Sequence, residues 1–390
     1  MRDGWVEYRF KDVATAVKGK LPKTKNEDGI GIPYLTANFL RNSKPDYWIE
    51  NIEGVVIAED GDCLILWDGA GAGDLFSAYR GVVSSTMAVV TTQNSKILRE
   101  FLTLFISSKA EYIKETCRGT TVPHVSPDAI ANMDLKIPPL PEQKRIVDLI
   151  SSVDVALAIY ADYLVSCQNL QKAIASKIFQ NPAIVISKLG DYCSSKEIQI
   201  GPFGSQLHAS DYLPEGIPVV MPQDIIEGKI SKAKIARISP DKAKELSRHR
   251  LCAGDILFAR RGDLTKRAIV SSNEEGWICG TGTVRVRSEM LHPQILFYAV
   301  TTDEVNSWLL SNAVGVTMPN LNTALVNDIP IRVPDNVEDQ LLLLEELDQN
   351  IIQRVVLLER LKIVRSSLLE DLLNGFHEIP VKYDKVMGAA

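Results

Sequence analysis

The sequence has few cysteines, and no two of them stand at the spacing of a metal-binding or redox pair. The six are scattered along 390 residues, at Cys63, Cys117, Cys167, Cys193, Cys252 and Cys279. A disulfide framework or a structural zinc site needs paired cysteines. Their scatter argues against both and predicts a protein of the reducing cytoplasm.

Long apolar runs are also missing. No run approaches the ~20 apolar residues that span a bilayer, and Met1–Glu7 lacks the apolar core of a signal peptide. Hydrophobic residues make up 45% of the chain and charged residues 24%, as in soluble globular proteins. Because 390 residues are enough for two cores, we expect two soluble domains and no membrane contact.

The motifs of several enzyme classes are absent. There is no His-Glu-x-x-His, no Walker loop, no Gly-x-Ser-x-Gly and no Asn/Asp-Pro-Pro-Tyr/Phe methyltransferase motif. The histidines show no metal-ligand spacing, and they are His124, His208, His249, His292 and His377. The sequence therefore predicts a binding protein that is not an enzyme and that holds no metal or cofactor.

Two motifs offer alternatives to that prediction. The alternating glycines of 68–76 are typical of a loop that approaches phosphate closely, but the matching stretch of the second half, 260–267, carries four basic residues instead. Residues 224–229 hold two carboxylates and a lysine, as a Mg²⁺-dependent nuclease needs, but the first half has no such triad. We favour a variable tight turn for the first and ordinary surface polarity for the second.

Charge is unevenly placed on this acidic chain of net charge −6. The segment 229–267 has twelve lysines and arginines against four acids, and a smaller basic run comprises Lys18, Lys20, Lys23 and Lys25. Local basic faces on an acidic protein are able to bind a phosphate backbone. A solvated surface is an equally good interpretation of each run alone.

Two long helices are predicted, over 139–181 and 335–376. Apolar side chains recur at steps of three and four from Ile146 to Ile178, with Gln171 in the one polar slot, which is typical of a coiled coil. The second helix has a similar apolar stripe from Leu344 to Leu372, interrupted at Arg354 and Arg365. At 1.5 Å per residue each helix is ~50–60 Å long.

Four landmarks of the first half recur in order in the second. The segments starting at residues 31, 61, 119 and 134 match those starting at 216, 254, 315 and 330. Such regular spacing indicates an internal duplication. We therefore predict an α+β fold with two tandem mixed α/β heads, an internal pseudo-two-fold repeat and two long antiparallel coiled-coil helices. The alternative is that each helix packs on its own head or on a partner.

The predicted boundaries follow from this repeat: a first head over 1–138, a helix over 139–181, a second head over 182–334, a helix over 335–376 and a poorly ordered tail over 377–390. In the first head we expect strands near 5–13, 31–36, 62–67 and 87–92. Helical spacing predicts one helix over 97–114, and Ser126-Pro127 predicts a helix start.

Basic, amide, hydroxyl and glycine-rich positions on the matching loops are candidates for contact with nucleic acid. Arginines are able to bind guanine O6 and N7, and backbone near glycine is able to approach phosphate. For each residue an ordinary surface role is equally well supported. The candidates are Lys18, Lys20, Lys23, Asn38, Thr120, Thr121, His124, Phe203, Gly204, Ser205, Gln206, Gln223, Arg260, Arg261, Lys266, Arg267, Thr317 and Asn320.

Together these motifs resemble a known family. The stretch 137–146, Ile-Pro-Pro-Leu-Pro-Glu-Gln-Lys-Arg-Ile, enters a long helix, and the chain also has Gly-Asp-Cys/Ile-Leu strands, a Gly-Pro-Phe-Gly-Ser loop at 201–205 and the duplication. This pattern is similar to that of the DNA-specificity (S) subunit of type I restriction-modification systems. The second helix entrance, Val333–Gln340, departs from the pattern.

The resemblance implies that each head is a target recognition domain reading one half of a bipartite, asymmetric site in double-stranded DNA. The helices would set the gap and dock modification (methyltransferase) subunits, with restriction (translocase/endonuclease) subunits in the full complex. S-adenosylmethionine, ATP and Mg²⁺ would belong to those partners. The expected partner-binding residues are Glu142, Gln143, Arg145, Asp339 and Gln340. The rival is a non-enzymatic coiled-coil scaffold or adaptor with protein-binding heads.

Overall fold

The structure, a computed structural model, describes residues 3–92, 94–119, 121–194, 196–313 and 320–383, without the side chain of Val337. It divides into two compact units, one formed by residues 1–162 and 356–390 and the other by 163–355. Each unit contains one head and one part of each long helix. The heads and the helices are therefore not separate packing units.

The first head is built from short strands and helices. Its strands are β1 (Val6–Arg9), β2 (Ala14–Lys18), β3 (Ile32–Leu35), β4 (Trp48–Ile49), β5 (Ile57–Ala58), β6 (Cys63–Leu66), β7 (Leu75–Ser77), β8 (Gly81–Val83), β9 (Met87–Thr92) and β10 (Asp134–Ile137). Its helices are α1 (Phe10–Val13), α2 (Ala37–Asn42), α3 (Arg99–Ser108), α4 (Ala110–Glu115) and α5 (Pro127–Ala131). The first long helix, α6, is Leu140–Phe179.

The second head follows the same order with an added hairpin. Its strands are β11 (Ile186–Lys188), β12 (Ile198–Ile200), β13 (Tyr212–Leu213), β14 (Ile217–Val220), β15 (Ile225–Ile226), β16 (Lys229–Ile230), β17 (Ala236–Ile238), β18 (Ile256–Ala259), β19 (Arg267–Ile269), β20 (Ile278–Cys279), β21 (Thr283–Val286) and β22 (Pro330–Arg332). Its helices are α7 (Pro240–Glu245), α8 (Pro293–Val300), α9 (Asp303–Asn312) and α10 (Thr323–Asn327), and the second long helix, α11, is Val337–Leu373.

Sheet topology repeats between the heads. The first head has an antiparallel sheet of order β2-β9-β6-β7 and a mixed sheet of order β4-β3-β8-β5, in which β3 and β8 are parallel. The second has β12-β21-β18-β19 and β13-β17-β14-β20, with β14 and β20 parallel. First and last strands close each head as β1-β10 and β11-β22. The α+β class and the internal repeat are therefore confirmed.

Local sequence explains where these elements begin and end. Ser126 accepts a hydrogen bond from the Ala129 amide and Pro127 starts α5, as predicted. At the end of α11, Gly375 has φ +74° and the Phe376 amide bonds back to the Asp371 carbonyl, which terminates the helix. The single helix predicted over 97–114 is wrong, because the chain breaks at Lys109 into α3 and α4.

In the first unit, α6 and α11 pack antiparallel on the head. Ile146 and Ile150 of α6 share a buried core with Leu369 and Leu372 of α11, and farther along α6 the Asp154 carboxylate pairs with Arg365. Residues later in α6 therefore contact residues earlier in α11, which is the order of contacts in an antiparallel helix pair. The same core contains Phe101, Phe105 and Ile106, which cover the head side of the helices.

In the second unit the order of contacts is again antiparallel. Ala175 and Phe179 near the end of α6 share a core with Leu344 near the start of α11. One turn away, Gln171 donates a hydrogen bond to Asp348. Gln171, the one polar residue in the predicted apolar stripe of α6, therefore has a specific hydrogen-bond partner on α11.

The helix Leu140–Phe179 is, by length and composition alone, apolar enough to cross a bilayer. This corrects the expectation that no such stretch exists. Ile146, Ile150 and Leu164 of this helix are buried within the protein, but only 11% of its most apolar stretch is buried. Helices of soluble proteins also have this length and composition.

The C-terminal tail is partly ordered, contrary to expectation. Ile379 is buried and packs in the core of the first unit with Leu372 and Leu373. A short 3-10 turn follows at Val381–Tyr383. The apolar side chain at position 379 holds the segment on the head, which charge and composition alone did not indicate. Residues 384–390 lie outside the described residues.

Candidate nucleic-acid interface

Three loops meet at one edge of each head. We call them the first loop (18–25 and 200–207), the hairpin loop (67–74 and 260–266) and the third loop (118–119 with 121–125, and 320–322). The first loop follows the edge strand β2 or β12, and the hairpin loop joins β6 to β7 or β18 to β19. The third loop leads into α5 or α10.

A backbone hydrogen bond common to both heads joins the hairpin loop to the third loop. The Val125 amide donates to the Trp67 carbonyl at 2.9 Å, and the Leu321 amide donates to the Arg260 carbonyl at 3.1 Å. Isolated bridges join the next residues, Asp68 with His124 and Arg261 with Asn320. Trp67 and Arg260 therefore hold equivalent positions, although their side chains share no chemistry.

A glycine that admits no side chain starts the first loop of each head. A Cβ on Gly19 would lie 2.2 Å from the Ser84 carbonyl oxygen, and a Cβ on Gly201 would lie 1.9 Å from the Gly280 carbonyl oxygen. The Gly19 amide donates to Met87 and the Gly201 amide to Thr283 at the start of the matching strand. The lysine run of the first head and the Gly-Pro-Phe-Gly-Ser loop of the second are thus one structural element, an equivalence that sequence comparison missed.

In the first head, ion pairs link the hairpin loop to the first loop and to helices α2 and α4. Lys18 pairs with Asp68 at 2.5 Å, linking the first loop to the hairpin loop. At the other end of the hairpin loop, Asp74 accepts from Lys114 at 2.8 Å and from Arg41 at 2.7 Å. The Lys114 hydrogen bond, helped by Arg41, lowers the pKa of Asp74 against the opposing effect of burial. These carboxylates therefore neutralise part of the positive charge at this edge, whereas no ion pair of Lys20, Lys23 or Lys25 is found among the described residues.

In the second head, an aromatic ring and an arginine hold the loops together. The guanidinium of Arg260 lies 5.2 Å from the centre of the Phe203 ring, and its Nε donates to the Leu321 carbonyl at 2.7 Å. The Arg260 amide donates to Gly282 at 2.7 Å, and Gly282 in turn lies against Pro222. Gln223 therefore stands next to this edge, exposed to solvent. No carboxylate takes part in these contacts, so the positive charge is retained.

Most described candidates lie on these loops or beside them with exposed side chains. Among the most accessible are Lys18, Lys20, Lys23, Thr121, His124, Phe203, Gly204, Ser205, Gln223 and Arg261. Gln206, Arg260, Lys266 and Asn320 are half-buried. Thr120 and Thr317 lie outside the described residues. Whether any of these side chains contacts nucleic acid stays a prediction.

Two candidates are held by the protein itself. Arg267 is only 3% exposed, with its guanidinium over the Phe258 ring and Nη1 bonded to Asn306 at 2.6 Å. Burial lowers its pKa to about 10. Its assignment as a surface contact is corrected, because its side chain supports strand β19 from inside. Asn38 is exposed, but its amide donates to Asp46 at 2.9 Å and accepts from Asn42.

The long basic segment does not form one uniform face. Lys232 pairs with Glu274, Lys244 pairs with Asp241, and Lys242 lies between Asp211 and Glu245. The positive character at the loop edge therefore comes mainly from the hairpin loop. Sequence counting missed these pairings because several of the acids come from distant parts of the chain.

The helix entrance of the first head faces inward. Gln143 is fully buried: its Nε2 donates to the Lys96 and Pro138 carbonyls, and its Oε1 accepts from the Leu98 amide. Glu142 is buried as well and accepts from the Trp5 indole at 3.1 Å. Their assignment as partner contacts is corrected, because these side chains fasten α6 to its own head. Asp339 and Gln340 of the second entrance are exposed and half-buried, and Arg145 is half-buried.

Comparisons with known proteins agree with this geometry. Residues 2–162 match the family model described as the type I restriction modification DNA specificity domain. This part of the chain is similar to type I DNA specificity domains. The expected resemblance to type I specificity subunits is confirmed.

The resemblance extends along the chain. The specificity subunit of the type I restriction enzyme MjaVIII from Methanocaldococcus jannaschii is 25% identical over 365 residues, covering 88% of this chain and 85% of that protein. The S subunit from M. genitalium has a similar fold, with a TM-score of 0.50, 16% identity and coverage of 95% and 96%. A chain from a solved structure on complex assembly and conformational transition of the type I restriction-modification system has a similar fold, with a TM-score of 0.56 and 16% identity. The match covers 96% of this chain and 98% of that chain.

No group of three or more His, Cys, Asp or Glu side chains placed to hold a metal ion occurs within the described ranges. The acids of the first head's hairpin loop are instead paired with lysine and arginine. The three-loop edge of each head thus offers hydrogen-bond donors, cations and exposed backbone. Such groups suit a polyanion with readable edges.

Proposed function

We propose that the protein is the DNA-reading subunit of a type I restriction-modification complex, and that each head reads one half of a bipartite, asymmetric target in double-stranded DNA. The observation that carries this is the duplicated three-loop edge. The same backbone hydrogen bond holds it in both heads, while the side chains presented there differ. A shared scaffold with divergent loops is the arrangement that two different half-sites require.

The two edges differ in the chemistry they offer to DNA. The first has lysines balanced by Asp68 and Asp74, with His124 exposed beside them. The second has Arg260 and Arg261 beside the exposed ring of Phe203. Carboxylates suit the cytosine amino group and arginines suit guanine. The half-sites should therefore differ, which makes the target non-palindromic.

We propose that the long helices set the distance between the half-sites. Helices α6 and α11, with 40 and 37 residues, are each ~55–60 Å long at 1.5 Å per residue. At ~34–36 Å per turn, a span of this size corresponds to half-site centres slightly more than about one and a half turns of DNA apart.

We further propose that the helices bind modification subunits, which supply S-adenosylmethionine chemistry, and that restriction subunits join them. Large apolar side chains are exposed along both helices. In the first unit Ile159 is 64% exposed and Ile363 69%, and in the second Leu170 is 59% exposed and Leu342 68%. Exposed apolar groups at this density are typical of surfaces that bind other proteins. Because Glu142 and Gln143 are buried, these outer positions are the better docking candidates.

Co-purification with the modification subunits, followed by mapping of methylated adenines in host DNA, tests the proposal. We expect methylation at one two-part motif with a fixed gap. A complex that forms and methylates no such motif would contradict the reading role.

Salt dependence separates this function from the rival coiled-coil adaptor. A DNA-reading protein loses affinity steeply as salt rises and still prefers its target over competitor DNA. An adaptor whose heads bind proteins shows neither a sequence preference nor a steep salt slope with DNA.

A further inference from the structure

The two neighbouring arginines of the second hairpin loop are held very differently. Arg260 is half-buried, with its Cζ atom 5.2 Å from the centre of the Phe203 ring and its Nε donating to the Leu321 carbonyl at 2.7 Å. Arg261 is exposed, and its backbone pairs with Asn320. No ion pair of the Arg261 side chain is found within the described ranges. One guanidinium is thus oriented before any ligand arrives, and the other is not.

The anchors of Arg260 leave its DNA-binding capacity intact. A carbonyl and an aromatic ring orient the guanidinium without cancelling its charge, as a carboxylate would. Among the residues that the structure describes, hydrogen-bond partners are found for Nε but not for the two Nη atoms. An arginine is able to donate both Nη groups end-on to the O6 and N7 of a guanine. Fixing the side chain beforehand reduces the conformational entropy lost on binding.

We propose that Arg260 is the base-reading arginine of the second head, with guanine as its ligand, that Phe203 is its positioning residue, and that Arg261 contacts phosphate. This rests on the proposed function and assigns separate roles within it. Sequence alone treats the two arginines alike, because both stand in one basic run. In this proposal, the role of the Gly201–Ser205 loop is to place the Phe203 ring beside the Arg260 guanidinium.

In the described part of the first head, no arginine stands at the position of Arg260. Trp67 occupies the position of Arg260, and its carbonyl makes the equivalent backbone bond to Val125. Lys18, at the end of β2 where the first loop begins, pairs with Asp68. The guanine contact is therefore specific to the second half-site, and only one half of the target should depend on it.

The experiment uses the full chain, with its modification subunits if they are needed for binding, and duplexes of the mapped target. Each guanine is replaced singly by 7-deazaguanine, which lacks the N7 acceptor. We expect one guanine, in one half-site, at which wild type loses on the order of 10- to 100-fold in affinity. Arg260→Gln should bind the natural duplex more weakly and should no longer distinguish the substituted one.

Two further variants separate the roles. Phe203→Leu keeps an apolar side chain without the π face, and should reduce discrimination at that same guanine while leaving the salt slope unchanged. Arg261→Gln should weaken binding to every duplex and lower the salt slope by about one. Lys188→Ala removes an exposed charge from β11, outside the loops, and should change neither readout. Thermal unfolding checks that each variant is folded.

The outcomes are distinct. If Arg261→Gln abolishes discrimination at the guanine and Arg260→Gln retains it, the assignment is reversed and the inference fails. If wild type shows no guanine sensitive to loss of N7, the inference fails while the proposed function stands, provided that the two-part motif is still preferred. If wild type prefers no sequence at all, the proposed function itself is overturned.

Discussion

Arg365 donates two hydrogen bonds to the Asp154 carboxylate, from Nε to Oδ1 at 2.8 Å and from Nη2 to Oδ2 at 2.7 Å. The pair joins the two long helices within the first unit. In the sequence, Arg365 stands out as an interruption of the apolar stripe, and the structure supplies its reason. The guanidinium is largely buried, whereas Asp154 is 45% exposed. The bidentate geometry fixes which residues of α6 and α11 face each other.

Removing either partner of this pair should destabilise the first unit unequally. Asp154→Ala leaves a largely buried guanidinium unpaired, while Arg365→Ala leaves a carboxylate that water still reaches. We expect the first change to cost more, and a coupling of ~0.5–1.5 kcal/mol in a double-mutant cycle. Urea unfolding of the two single variants and the double variant measures this. Additive effects would show that the pair contributes nothing.

Gln143 and Gln340 offer a matched comparison that the duplication provides. Gln143→Ala removes three hydrogen bonds to the backbone of the first head and leaves buried groups unpaired, so we expect a loss of ~2–4 kcal/mol. Gln340→Ala, at the equivalent helix entrance, should cost less than ~1 kcal/mol because the side chain is half-buried. Thermal unfolding of both variants checks the difference. Equal losses would contradict the inward role assigned to Gln143.

A half-buried carboxylate, Asp348, connects the two long helices of the second unit. Asp348 accepts hydrogen bonds from Gln171, Gln294 and the Tyr298 hydroxyl. Asp348→Ala would remove these three hydrogen bonds and leave only the one from Gln171 to the Tyr298 hydroxyl, and we expect ~2–4 kcal/mol of destabilisation. Asp339→Ala, an exposed acid on the same helix, is the control and should cost less than ~0.5 kcal/mol. Chemical unfolding followed by circular dichroism reports both. Equal free energies of unfolding for the two variants would contradict the stabilising role of the Asp348 hydrogen bonds.

His249 should make the second head sensitive to acid. It is buried, and burial together with Arg248 and Arg285 lowers its pKa to about 4. Because the unfolded side chain titrates near ~6.5, the unfolded state takes up the proton first as pH falls. The free energy of unfolding should therefore decline from about pH 6.5 down to about pH 4.

The His249→Phe variant removes this titration and should show a flatter stability profile over the same range. Urea unfolding at several pH values between 7 and 4 measures it. His208→Gln, an exposed histidine of the same head, should keep the wild-type slope. An unchanged slope in His249→Phe would mean that other groups cause the acid sensitivity.

Local patterns predicted much of this fold. The heptad spacing from Ile146 to Ile178 predicted a long coiled-coil helix and the side of it that packs inside the protein, since side chains three and four apart share one side of a helix. The Ser126-Pro127 start and the Gly375 end followed from backbone chemistry that few other residues provide. The break at Lys109 was missed because apolar spacing continues across it from α3 to α4.

The candidate interface was harder to predict because its contacts join distant residues. The sequence indicated Arg260 and Phe203 as separate candidates. Because the two residues are 57 positions apart, their contact could not be predicted. Arg267 was misjudged because a charged residue in a basic run normally stays in solvent, and only the packing of β19 buries it. Gln143 was misjudged because a polar side chain at a helix start normally faces solvent, and only its hydrogen bonds to distant backbone groups hold it inside. A closer alignment of the two halves around Gly19 and Gly201 was the signal that could have joined the first loops.

The most direct test of the central claim is to lengthen both helices and map the methylated motif again. One heptad is inserted into α6 after Asp162 and one into α11 after Val355, so that the antiparallel pairing is preserved. Seven residues add ~10 Å at 1.5 Å each, which is about three base pairs at ~3.4 Å per step. Two independent heads on a spacer predict unchanged half-site sequences separated by a longer gap. Altered half-site sequences, or an unchanged gap, would contradict the account.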